Sequence, residues 1–544
     1  MRKVVSVVKG RGVRGVLDIV GAGFHSVCFG VQVEYVFEGG RRAVEHGLLV
    51  EALADIIKDG WRVCKEHWFD ICFDICFVFV DMCSFLFMKL AAGCKLTMQD
   101  IERFNRLMMR RGPDGSQAAF IGDDMVFLHN LLHLCGDVAV QQPVVTDSGC
   151  VLLFNGEIWN WRELGVEGAR CDTDVIVPMY EKHGRDFVRV LDGEFAIVLY
   201  DKSKDEVLVS TDVFMTKPMF VAKGSGGMGV ASYASALVSA AERGGCGWSA
   251  KDVVMAEPNT CVVYKVGNGD EVYRTRVYDF DLRQYKTGME DWEAAFEEAV
   301  KKRALHGGKM FLCLSSGYDS GCIALALNRL GIEYDTFSTM KGENVDVLRS
   351  RLRLGKMGGA CGTCYTVEGV PDEMREACGK MVGEVCEPWT YVHDDGPDGA
   401  RTVMENDGGA RAMAFICSKM SDMDYRVVLS GSGADEILSD YGFGGRKIYY
   451  HSEFGGLWPE KLEGWFPWRK FYGDTQRSYL FKDEFVAGGW GIEGRYPFLD
   501  KKVVQEWLWL RSDVKNSEYK AVLASYMRKH GYPMETGRKI GFNI

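Results

Sequence analysis

The sequence predicts a multidomain chain in which a sheet-rich α+β half is followed by an α/β half. With 544 residues, the chain is too long for one typical hydrophobic core, so two or three domains are expected. Between residues 82 and 270, short apolar runs bounded by polar residues predict a sheet-rich domain. Beyond residue 285, two apolar runs are each followed by a small-residue loop and a helical pattern, as in α/β folds.

Composition and charge exclude two classes of function. The formal net charge is −11, and no basic cluster is dense enough to predict nucleic acid as a partner. The most apolar window, from Cys72 to Cys94, contains Asp74, Asp81 and Lys89, so it lacks the uninterrupted span of about 20 residues that a bilayer helix needs. We therefore expect neither nucleic-acid binding nor membrane insertion.

The 18 cysteines are scattered without a repeated spacing. A chain of this size does not need disulfide bonds for stability, so we interpret the cysteines as reduced thiols in a reducing compartment, the cytoplasm. One CxxC motif, from Cys361 to Cys364, has no second pair, which leaves zinc or redox chemistry there as a secondary interpretation.

Residues 1–81 differ from the rest of the chain. They begin with five basic residues before any acidic one, and they contain no clear period or helix cap. Acidic residues then arrive early and serine is sparse, which argues against a transit peptide. We interpret this segment as an extension without recognisable structure, arising from a wrong start, a propeptide or a targeting segment.

Local signals predict individual elements in the sheet-rich half. Thr97 fits the N-cap of an amphipathic helix whose apolar residues recur at helical spacing. The stretch GCVLLFNGEIWNW predicts a buried strand that ends in the polar group Asn155, Gly156 and Glu157. The stretch VLDGEFAIVLYDKSKDEVLVST predicts a hairpin of two apolar strands with its turn at residues 202–205.

Six motifs of this half occur in an order that is found in a known family. They are MCSFLF, RRGPDGS, FNGEIWNW, CDTD, LDGEFAIVLYD and VASYASAL. Together they resemble the N-terminal glutaminase half of glutamine-hydrolysing asparagine synthetases and related class II amidotransferases. The resemblance implies an N-terminal-nucleophile domain, an αββα sandwich, over residues 82–270.

The resemblance implies that Cys83 is the nucleophile, which attacks the side-chain amide of glutamine and gives a thioester and free ammonia. A thiol with a pKa of about 8.5 needs a base at neutral pH, and the cysteine's own α-amine, with a pKa of about 7.7 to 8.0, serves if Cys83 is the first residue. We therefore expect that Met82 is the true initiator or that the first 82 residues are removed. If the extension stays attached, the glutaminase is inactive.

The resemblance also implies the contacts to glutamine. The Asn155 side chain and the Gly156 N–H group would stabilise the tetrahedral oxyanion, and Glu157 and Asp174 would bind the substrate ammonium group. One departure concerns the substrate carboxylate. Leu131 stands where the family usually has an arginine that binds this carboxylate, so its binding requires another contact.

Two strand–loop–helix patterns carry the candidate chemistry of the second half. In the first, the apolar run 310–314 leads through small residues into a helix near Ser320. In the second, the strand 427–429 leads into the loop 430–433. Such loops direct backbone N–H groups and the positive end of a helix dipole at an anion, so they predict phosphate binding.

The spelling of the first loop, LSSGYDSG, resembles the pyrophosphate loop of N-type ATP pyrophosphatases, and the second loop, GSGADE, resembles a motif of asparagine synthetases. The resemblance implies an α/β parallel-sheet domain of the ATP pyrophosphatase type over residues 285–544. The ATP-binding residues that it implies are Leu314, Ser315, Ser316, Gly317, Asp319, Ser320, Ser430 and Gly431.

Further residues follow from the same resemblance. Asp319 and Asp435, one from each loop, would share the Mg²⁺ ion carried by ATP, because a hard cation prefers oxygen ligands. The stretches EGRYPFLD and GRKIGF match family motifs, and the second places Lys539 where a cation would stabilise the adenylate and the departing pyrophosphate. Ser432 stands where the family usually has a glutamate that is implicated in handling the ammonia or the intermediate.

The function implied is that of a glutamine-dependent asparagine synthetase. Ammonia from glutamine would pass to the second site, where Mg-ATP activates aspartate as a β-aspartyl adenylate, giving asparagine, glutamate, AMP and pyrophosphate. The expected partners are the small molecules glutamine, aspartate and ATP, and a homodimer is compatible with the sequence. Two alternatives stay open: an ATP-dependent amidotransferase that acts on a different carboxylate, and a catalytically impaired binding protein.

Overall fold

The computed structural model describes residues 83–544 except 113, 135–139, 306, 393–400, 450 and 536–544, together with three strands nearer the N-terminus. Those strands, Lys3–Lys9 (β1), Val13–Ile19 (β2) and Val33–Tyr35 (β3), form an antiparallel sheet in the order β1-β2-β3. The chain divides into two compact units, Met1–Val78 and Phe79–Ile544. Every candidate site residue belongs to the second unit.

Two six-stranded antiparallel sheets form the first half of the second unit. One consists of Ser84–Lys89 (β4), Gly115–Ile121 (β5), Met125–Leu131 (β6), Phe220–Gly224 (β11), Gly227–Ala231 (β12) and Val253–Met255 (β13). The other consists of Val144–Val145 (β7), Cys150–Ile158 (β8), Gly193–Asp201 (β9), Glu206–Thr211 (β10), Thr260–Lys265 (β14) and Glu271–Arg276 (β15). Their strand orders are β13-β11-β12-β4-β6-β5 and β15-β14-β10-β9-β8-β7.

The alternation of side chains along the strands explains how the sheets stack. On β4, Phe85 and Phe87 belong to a core shared with Val151 and Leu153 of β8, whereas Leu86 packs on the opposite face against helices. The helices of this half are Met98–Asn105 (α1), Thr173–His183 (α2) and Ala234–Arg243 (α3). Helices α1 and α3 pack on the first sheet and α2 packs on the second, so the predicted αββα sandwich is confirmed.

A five-stranded parallel sheet forms the second half of this unit. Its strands are Lys309–Cys313 (β16), Tyr334–Thr339 (β17), Cys361–Val367 (β18), Tyr425–Leu429 (β21) and Glu493–Arg495 (β24). The order is β18-β17-β16-β21-β24, and all neighbours are parallel. Because the carboxyl ends of parallel strands meet at one edge, the loops that follow the adjacent strands β16 and β21 lie side by side.

The remaining elements connect or cover this sheet. The helices are Glu290–Ala304 (α4), Tyr318–Leu330 (α5), Val345–Met357 (α6), Asp372–Val385 (α7), Gly408–Ser421 (α8), Ala434–Leu438 (α9), Arg469–Tyr472 (α10), Asp474–Gly489 (α11), Lys501–Trp509 (α12), Ser512–Lys515 (α13) and Ala521–Lys529 (α14). Two small antiparallel pairs are Thr390–Val392 (β19) with Arg401–Val403 (β20), and Gly442–Phe443 (β22) with Arg446–Lys447 (β23). None of the helices that the structure describes is long and apolar enough to cross a membrane.

Most of the element ends predicted from local sequence signals agree with the structure. Thr97 caps α1, because its side chain accepts a hydrogen bond from the Asp100 N–H group and the Asp100 carboxylate accepts one in return. The hairpin of β9 and β10 turns at residues 202–205, as predicted. Strand β8, however, continues to Ile158, so Asn155 and its polar neighbours lie within the strand rather than at its end.

Candidate active site

Cys83 lies directly before β4 and lines a pocket at the sandwich. Its Sγ atom accepts a hydrogen bond from the Leu132 N–H group at 3.1 Å, and the residue is 9% exposed. Burial raises the pKa of the Cys83 thiol above its usual range, so the thiol stays protonated at neutral pH unless a base lies beside it. The pocket is lined by Cys83, Leu131, Leu132, His133, Val140, Gln142, Phe154, Gly156, Glu157, Cys171, Asp172 and Thr173.

The predicted oxyanion residues lie on β8. Gly156 lines the pocket and has a φ of 132°, and a Cβ atom there would lie 1.9 Å from the Glu194 carbonyl oxygen, so only glycine fits. The Asn155 side chain is 1% exposed, and neither its amide nitrogen nor its oxygen has a hydrogen-bond partner among the described residues. A buried amide in this state has free capacity to bind a developing oxyanion. Asn155 itself is not among the lining residues, although both of its neighbours are.

Two carboxylates line the pocket, and only one of them was expected. Burial and the nearby Asp172 carboxylate raise the pKa of Glu157 well above its usual range. Burial likewise raises the pKa of Asp172 to about 7. Asp174, which the sequence assigned to the substrate ammonium group, pairs with Arg170 at 2.9 Å and does not line the pocket. Sequence reasoning missed Asp172, although the CDTD motif contains two acids that could each serve.

The pocket provides no strong cation for a substrate carboxylate. Among the described lining residues there is no lysine or arginine, and His133 is the one imidazole. Leu131, at the position of the expected arginine, is 5% exposed and packs with Cys83 and Leu132. The lining therefore does not supply the carboxylate contact that the family resemblance implies.

Buried charges connect this pocket with the parallel sheet. Arg111 donates a hydrogen bond to the Cys83 carbonyl oxygen at 3.0 Å and pairs with Glu484 of α11, and neither side chain is exposed. Arg495, at the end of β24, pairs with Glu157 at 3.2 Å. Cys83 is thus linked through Arg111 to Glu484, and Glu157 contacts Arg495 directly, so both pocket residues are connected to the second half.

Lys217 lies at the centre of the same charge network. Its Nζ atom is 3.4 Å from Glu484, 3.8 Å from Glu194 and 3.9 Å from Glu493, and it donates a hydrogen bond to the Gly494 carbonyl oxygen at 2.7 Å. Burial alone would lower the pKa of Lys217, but the surrounding carboxylates raise it above its usual range. Sequence reasoning missed Lys217, because nothing in its local sequence indicates these distant partners.

The first small-residue loop, residues 314–317, connects β16 with α5 and already binds an anionic group. The Ser316 N–H group donates a hydrogen bond to the Glu343 carboxylate at 2.6 Å, and the Ser316 hydroxyl donates to the same oxygen. The Ser315 N–H group donates to the Ser320 hydroxyl at 3.0 Å. The loop that the sequence predicted to hold phosphate therefore holds a carboxylate of the chain itself.

Arg351 of α6 stabilises the backbone of this loop. Its Nη1 atom donates hydrogen bonds to the carbonyl oxygens of Ser315 and Gly317, both at 2.6 Å, and its Nε atom donates to the Pro533 carbonyl oxygen at 2.9 Å. These bonds orient the peptide groups on both sides of Ser316. Sequence reasoning missed Arg351, which lies outside the loop motif.

The second loop, residues 430–433, packs directly on the first. A Cβ atom at Gly431 would lie 2.8 Å from the Asp319 Cβ atom, so glycine permits the close approach of the two loops. The Oδ1 atoms of Asp319 and Asp435 lie 2.5 and 2.9 Å from the Nζ atom of Lys520. The two carboxylates predicted to share a metal ion are thus within reach of one cation.

Lys520 is a site residue that sequence reasoning missed. It is 4% exposed and has a φ of 50° directly before α14. Burial alone would lower the pKa of Lys520, but the Asp319 and Asp435 carboxylates raise it well above its usual range. Two carboxylates from adjacent loops are oxygen ligands of the kind that Mg²⁺ takes together with phosphate oxygens and water. Among the described residues, no group of three or more His, Cys, Asp or Glu side chains is placed to hold a metal ion.

Ser432 stands at the position where the family usually has a glutamate, and a carboxylate from elsewhere in the chain lies beside it. Asp483 of α11 accepts hydrogen bonds from the Ser432 hydroxyl at 2.6 Å and from the Ser430 hydroxyl at 2.9 Å. Burial raises the pKa of Asp483 above its usual range. Asp483 is 51 residues from Ser432 in the chain, so no local motif could have indicated it.

Lys539 lies outside the described residues, so its predicted role stays a prediction. The described chain ends at Glu535, whose carboxylate accepts a hydrogen bond from the Asn344 side chain at 3.1 Å. The Asn344 N–H group in turn donates to the Ser316 hydroxyl at 3.0 Å. The segment that leads towards Lys539 therefore contacts the surroundings of the first loop.

Comparisons with known proteins match both halves of this description. Residues 82–248 match a family model described as a glutamine amidotransferase domain. Over 437 residues the chain is 24% identical to an asparagine synthetase (glutamine-hydrolysing) of Sandersonia aurantiaca, with 76% of each chain covered. Over 424 residues it is 25% identical to asparagine synthetase B (glutamine-hydrolysing) of Escherichia coli (strain K12), with 73% of this chain and 69% of that relative covered.

Among solved structures, a glutamine phosphoribosylpyrophosphate amidotransferase from B. subtilis aligns with a TM-score of 0.27 and 13% identity. The alignment covers 46% of this chain and 65% of that chain. The likeness is too slight to add to the fold described above. The family-model match includes Cys83 and all the other lining residues of its pocket.

Proposed function

We propose that this chain, which belongs to the glutamine-hydrolysing asparagine synthetase family, transfers the amide nitrogen of glutamine to aspartate in a reaction driven by ATP. One observation carries the proposal. A single compact unit combines the Cys83 pocket with two loops whose carboxylates, Asp319 and Asp435, share one cation. The products would be asparagine, glutamate, AMP and pyrophosphate.

In the first reaction, the Cys83 sulfur attacks the side-chain amide of glutamine. Its proton passes to the cysteine α-amine, which is available once Cys83 is the first residue. The Asn155 amide and the Gly156 N–H group stabilise the oxyanion, and collapse of the intermediate releases ammonia. Water then hydrolyses the thioester to glutamate. The pocket carboxylates, Glu157 and Asp172, are candidates for binding the substrate ammonium group, beside the predicted Asp174.

In the second reaction, the aspartate side-chain carboxylate attacks the α-phosphorus of ATP and displaces pyrophosphate. Ammonia then attacks the resulting acyl carbon and displaces AMP. The Ser316 N–H group would bind phosphate in place of Glu343, and Lys520 would lie beside the phosphates as a second positive charge. When bound by Asp319 and Asp435, Mg²⁺ would neutralise phosphate charge.

A second candidate function rests on Ser432. Ser432 stands where the family usually has a glutamate, and its hydroxyl donates a hydrogen bond to Asp483. The environment of the acceptor acid would therefore differ from that in the asparagine synthetases. An ATP-dependent amidotransferase that acts on another carboxylic acid would use the same loops. Asparagine synthesis is favoured because the curated relatives named above carry that activity in their names.

The proposed setting is the cytoplasm, where the 18 cysteines would stay reduced. Glutamine, aspartate and ATP are the proposed partners, and the proposed assembly is a homodimer. Gel filtration with light scattering tests the assembly, because a dimer would have twice the mass that mass spectrometry gives for the same denatured chain.

The test measures product formation with a panel of acceptor acids. The purified protein with Cys83 as its first residue is incubated with Mg-ATP and either glutamine or ammonium chloride, and AMP, pyrophosphate and amide products are quantified. Of the acids in the panel, only aspartate is expected to give products. These products should be asparagine, AMP and pyrophosphate in equal amounts. C83S should retain only the ammonium-dependent reaction, and C94S, a change at a half-buried cysteine outside the pocket, should retain both. Formation of ADP and phosphate would contradict the proposal.

A further inference from the structure

The CxxC motif has no role in the proposed reaction, yet its two side chains meet. Along a regular strand, successive side chains point to opposite faces, so residues three apart lie on opposite sides of the sheet. Cys361 and Cys364 are both in β18, and their Sγ atoms are nevertheless 3.4 Å apart. Their spacing alone does not explain this contact.

A β-bulge in β18 explains it. Across the sheet, Tyr334 of β17 faces Cys361 and Thr336 faces Cys364, so two residue steps in β17 match three in β18. One extra residue in a strand returns the following side chain to the face it would otherwise leave. The bulge therefore places both thiols on one side.

Asp335 holds the bulge in place from the neighbouring strand. The Thr363 N–H group donates a hydrogen bond to Asp335 Oδ1, and the Tyr425 hydroxyl donates to the other oxygen of the same carboxylate. A Cβ atom at Gly362 would lie 2.7 Å from Asp335 Oδ1, so glycine permits this contact. Asp335 thus accepts a hydrogen bond from Thr363 and lies where a side chain at residue 362 would be.

The two thiols are placed differently. Cys361 is 6% exposed and lies beneath α6, where a Cβ atom at Gly355 would be 2.8 Å from the Cys361 Cβ atom. Cys364 is half-buried, and β18 is an edge strand of the five-stranded sheet. The hydrogen bond between the thiols lowers the pKa of Cys364 to about 6 and raises the pKa of Cys361. Cys364 is therefore the more accessible and the more readily ionised thiol.

We propose that Cys361 and Cys364 form a reversible dithiol–disulfide site that reacts with low-molecular-weight disulfides such as oxidised glutathione. The Cys364 thiolate attacks one sulfur of glutathione disulfide, which forms a mixed disulfide and releases one glutathione thiolate. Cys361 then loses its proton and attacks the Cys364 sulfur, which forms the Cys361–Cys364 bond and releases the second glutathione. Two protein thiols are oxidised and one disulfide is reduced to two thiols, so electrons and protons balance.

Zinc binding at this motif is the rival use of the same two thiols. A structural zinc ion takes four ligands, usually cysteines and histidines. The described residues contain no group of three or more His, Cys, Asp or Glu side chains placed to bind a metal ion. The geometry therefore favours the disulfide.

The test uses the full chain, reduced and then exposed to oxidised glutathione. After acid quenching, free thiols are alkylated under denaturing conditions and the peptide that contains Cys361 and Cys364 is identified by mass spectrometry. We expect that neither cysteine of this peptide is alkylated and that the peptide is two hydrogens lighter than its reduced, unalkylated form. Dithiothreitol added before alkylation should reverse the change. In C361S, glutathione should stay attached to Cys364, whereas in C364S the buried Cys361 should remain a free thiol.

Two results would overturn the proposal. One is complete alkylation of both cysteines after treatment with glutathione disulfide. Dithiothreitol in the same tube serves as the positive control and must be fully oxidised by that treatment. The other is one bound zinc ion per chain in the purified protein, lost on mutation of either cysteine. D335A, which removes both acceptor oxygens, should slow ring closure about tenfold and accumulate the mixed disulfide. Closure at the wild-type rate would refute the role of the bulge, and thermal melting of D335A checks that it is folded.

Discussion

At the scale of single residues, Lys520 dominates the electrostatics of the two loops. It contacts Asp319 and Asp435 at once, although Asp319 lies 201 residues away in the chain. A metal ion bound with ATP would compete with this ammonium group for the same carboxylates. Lys520 thus occupies, in the described structure, the position between the loops that the proposal assigns to a divalent cation.

Replacement of Lys520 by methionine should make stability depend on magnesium. Removing one partner of a buried ion pair typically costs about 3–5 kcal/mol, and Mg²⁺ bound between the carboxylates would restore part of it. K520M is therefore expected to melt at a lower temperature than wild type, and added MgCl₂ should raise its melting temperature more than that of wild type. K529M is the matched control, because Lys529 pairs with Glu293 at 2.5 Å on the surface and is 50% exposed. Equal magnesium responses of K520M and wild type would contradict the metal assignment.

Cys83 leads to a second prediction at this scale, about the mature chain. Burial raises the pKa of its thiol, so attack on glutamine depends on the free α-amine as base. The protein purified from its native host should begin at Cys83, which N-terminal sequencing and intact mass would show. An intact Met1 would leave at most an ammonia-dependent synthetase.

The residues that sequence reasoning could find are those that sit in short motifs. Cys83, Asp319 and Asp435 each stand in a local pattern whose chemistry can be argued. Lys520 and Asp483 could not be found in this way, because they reach the loops only through folding. Asp172 is an intermediate case, since its motif is local but the sequence does not say which of its two acids faces the pocket.

At the scale of elements, the start of α3 depends on a buried carboxylate from Glu387, two residues after the end of α7. The Ser235 N–H group donates a hydrogen bond to Glu387 Oε1 at 2.9 Å, and the Ser235 hydroxyl donates to the other oxygen. Glu387 is 3% exposed, and burial raises its pKa from 4.5 to about 7. The helix start thus carries a group that titrates near neutral pH.

The E387Q variant should show this titration in the free energy of unfolding. Between about pH 4.5 and 7 the folded protein holds a proton on Glu387 that the unfolded chain has released, so this contribution to stability falls as the pH rises. E387Q should lose that part of the slope and exceed wild type at pH 8 by up to about 3 kcal/mol. Urea unfolding at several pH values measures it. E384Q, at an acid 65% exposed in the last turn of α7, should follow wild type. An E387Q curve parallel to the wild-type curve would refute the account.

Element ends could be predicted from the sequence where their cause is local, and could not where it lies in a distant part of the chain. Thr97 and Asp100 form a cap within one turn, so the start of α1 could be predicted. The end of β8 could not, because pairing of Glu157 with Glu194 and of Ile158 with Gly193 extends the strand. The bulge in β18 likewise depends on a carboxylate from another strand.

At the scale of the whole molecule, buried charges join the sandwich to the parallel sheet. Glu484 pairs with Arg111 beside Cys83, lies 3.4 Å from Lys217 and accepts a hydrogen bond from the Tyr496 hydroxyl at 2.8 Å. All of these side chains are buried. The position of Cys83 therefore depends on residues more than 370 positions away in the chain.

The E484A variant should test this dependence. It leaves two buried cations without their shared carboxylate, so the free energy of unfolding is expected to fall by about 3–5 kcal/mol. The matched control is D513A, which breaks the exposed Arg511–Asp513 pair and should leave stability close to that of wild type. Denaturant unfolding compares the two variants. Equal, small losses would mean that the network contributes little to joining the two halves.

The most direct test of the central claim follows the nitrogen atom. The protein with Cys83 as its first residue is incubated with aspartate, Mg-ATP and glutamine labelled with ¹⁵N in its side-chain amide, and the products are analysed by mass spectrometry. Asparagine labelled in its amide, formed together with AMP and pyrophosphate, is the result that the account predicts. Labelled ammonia without labelled asparagine would contradict it.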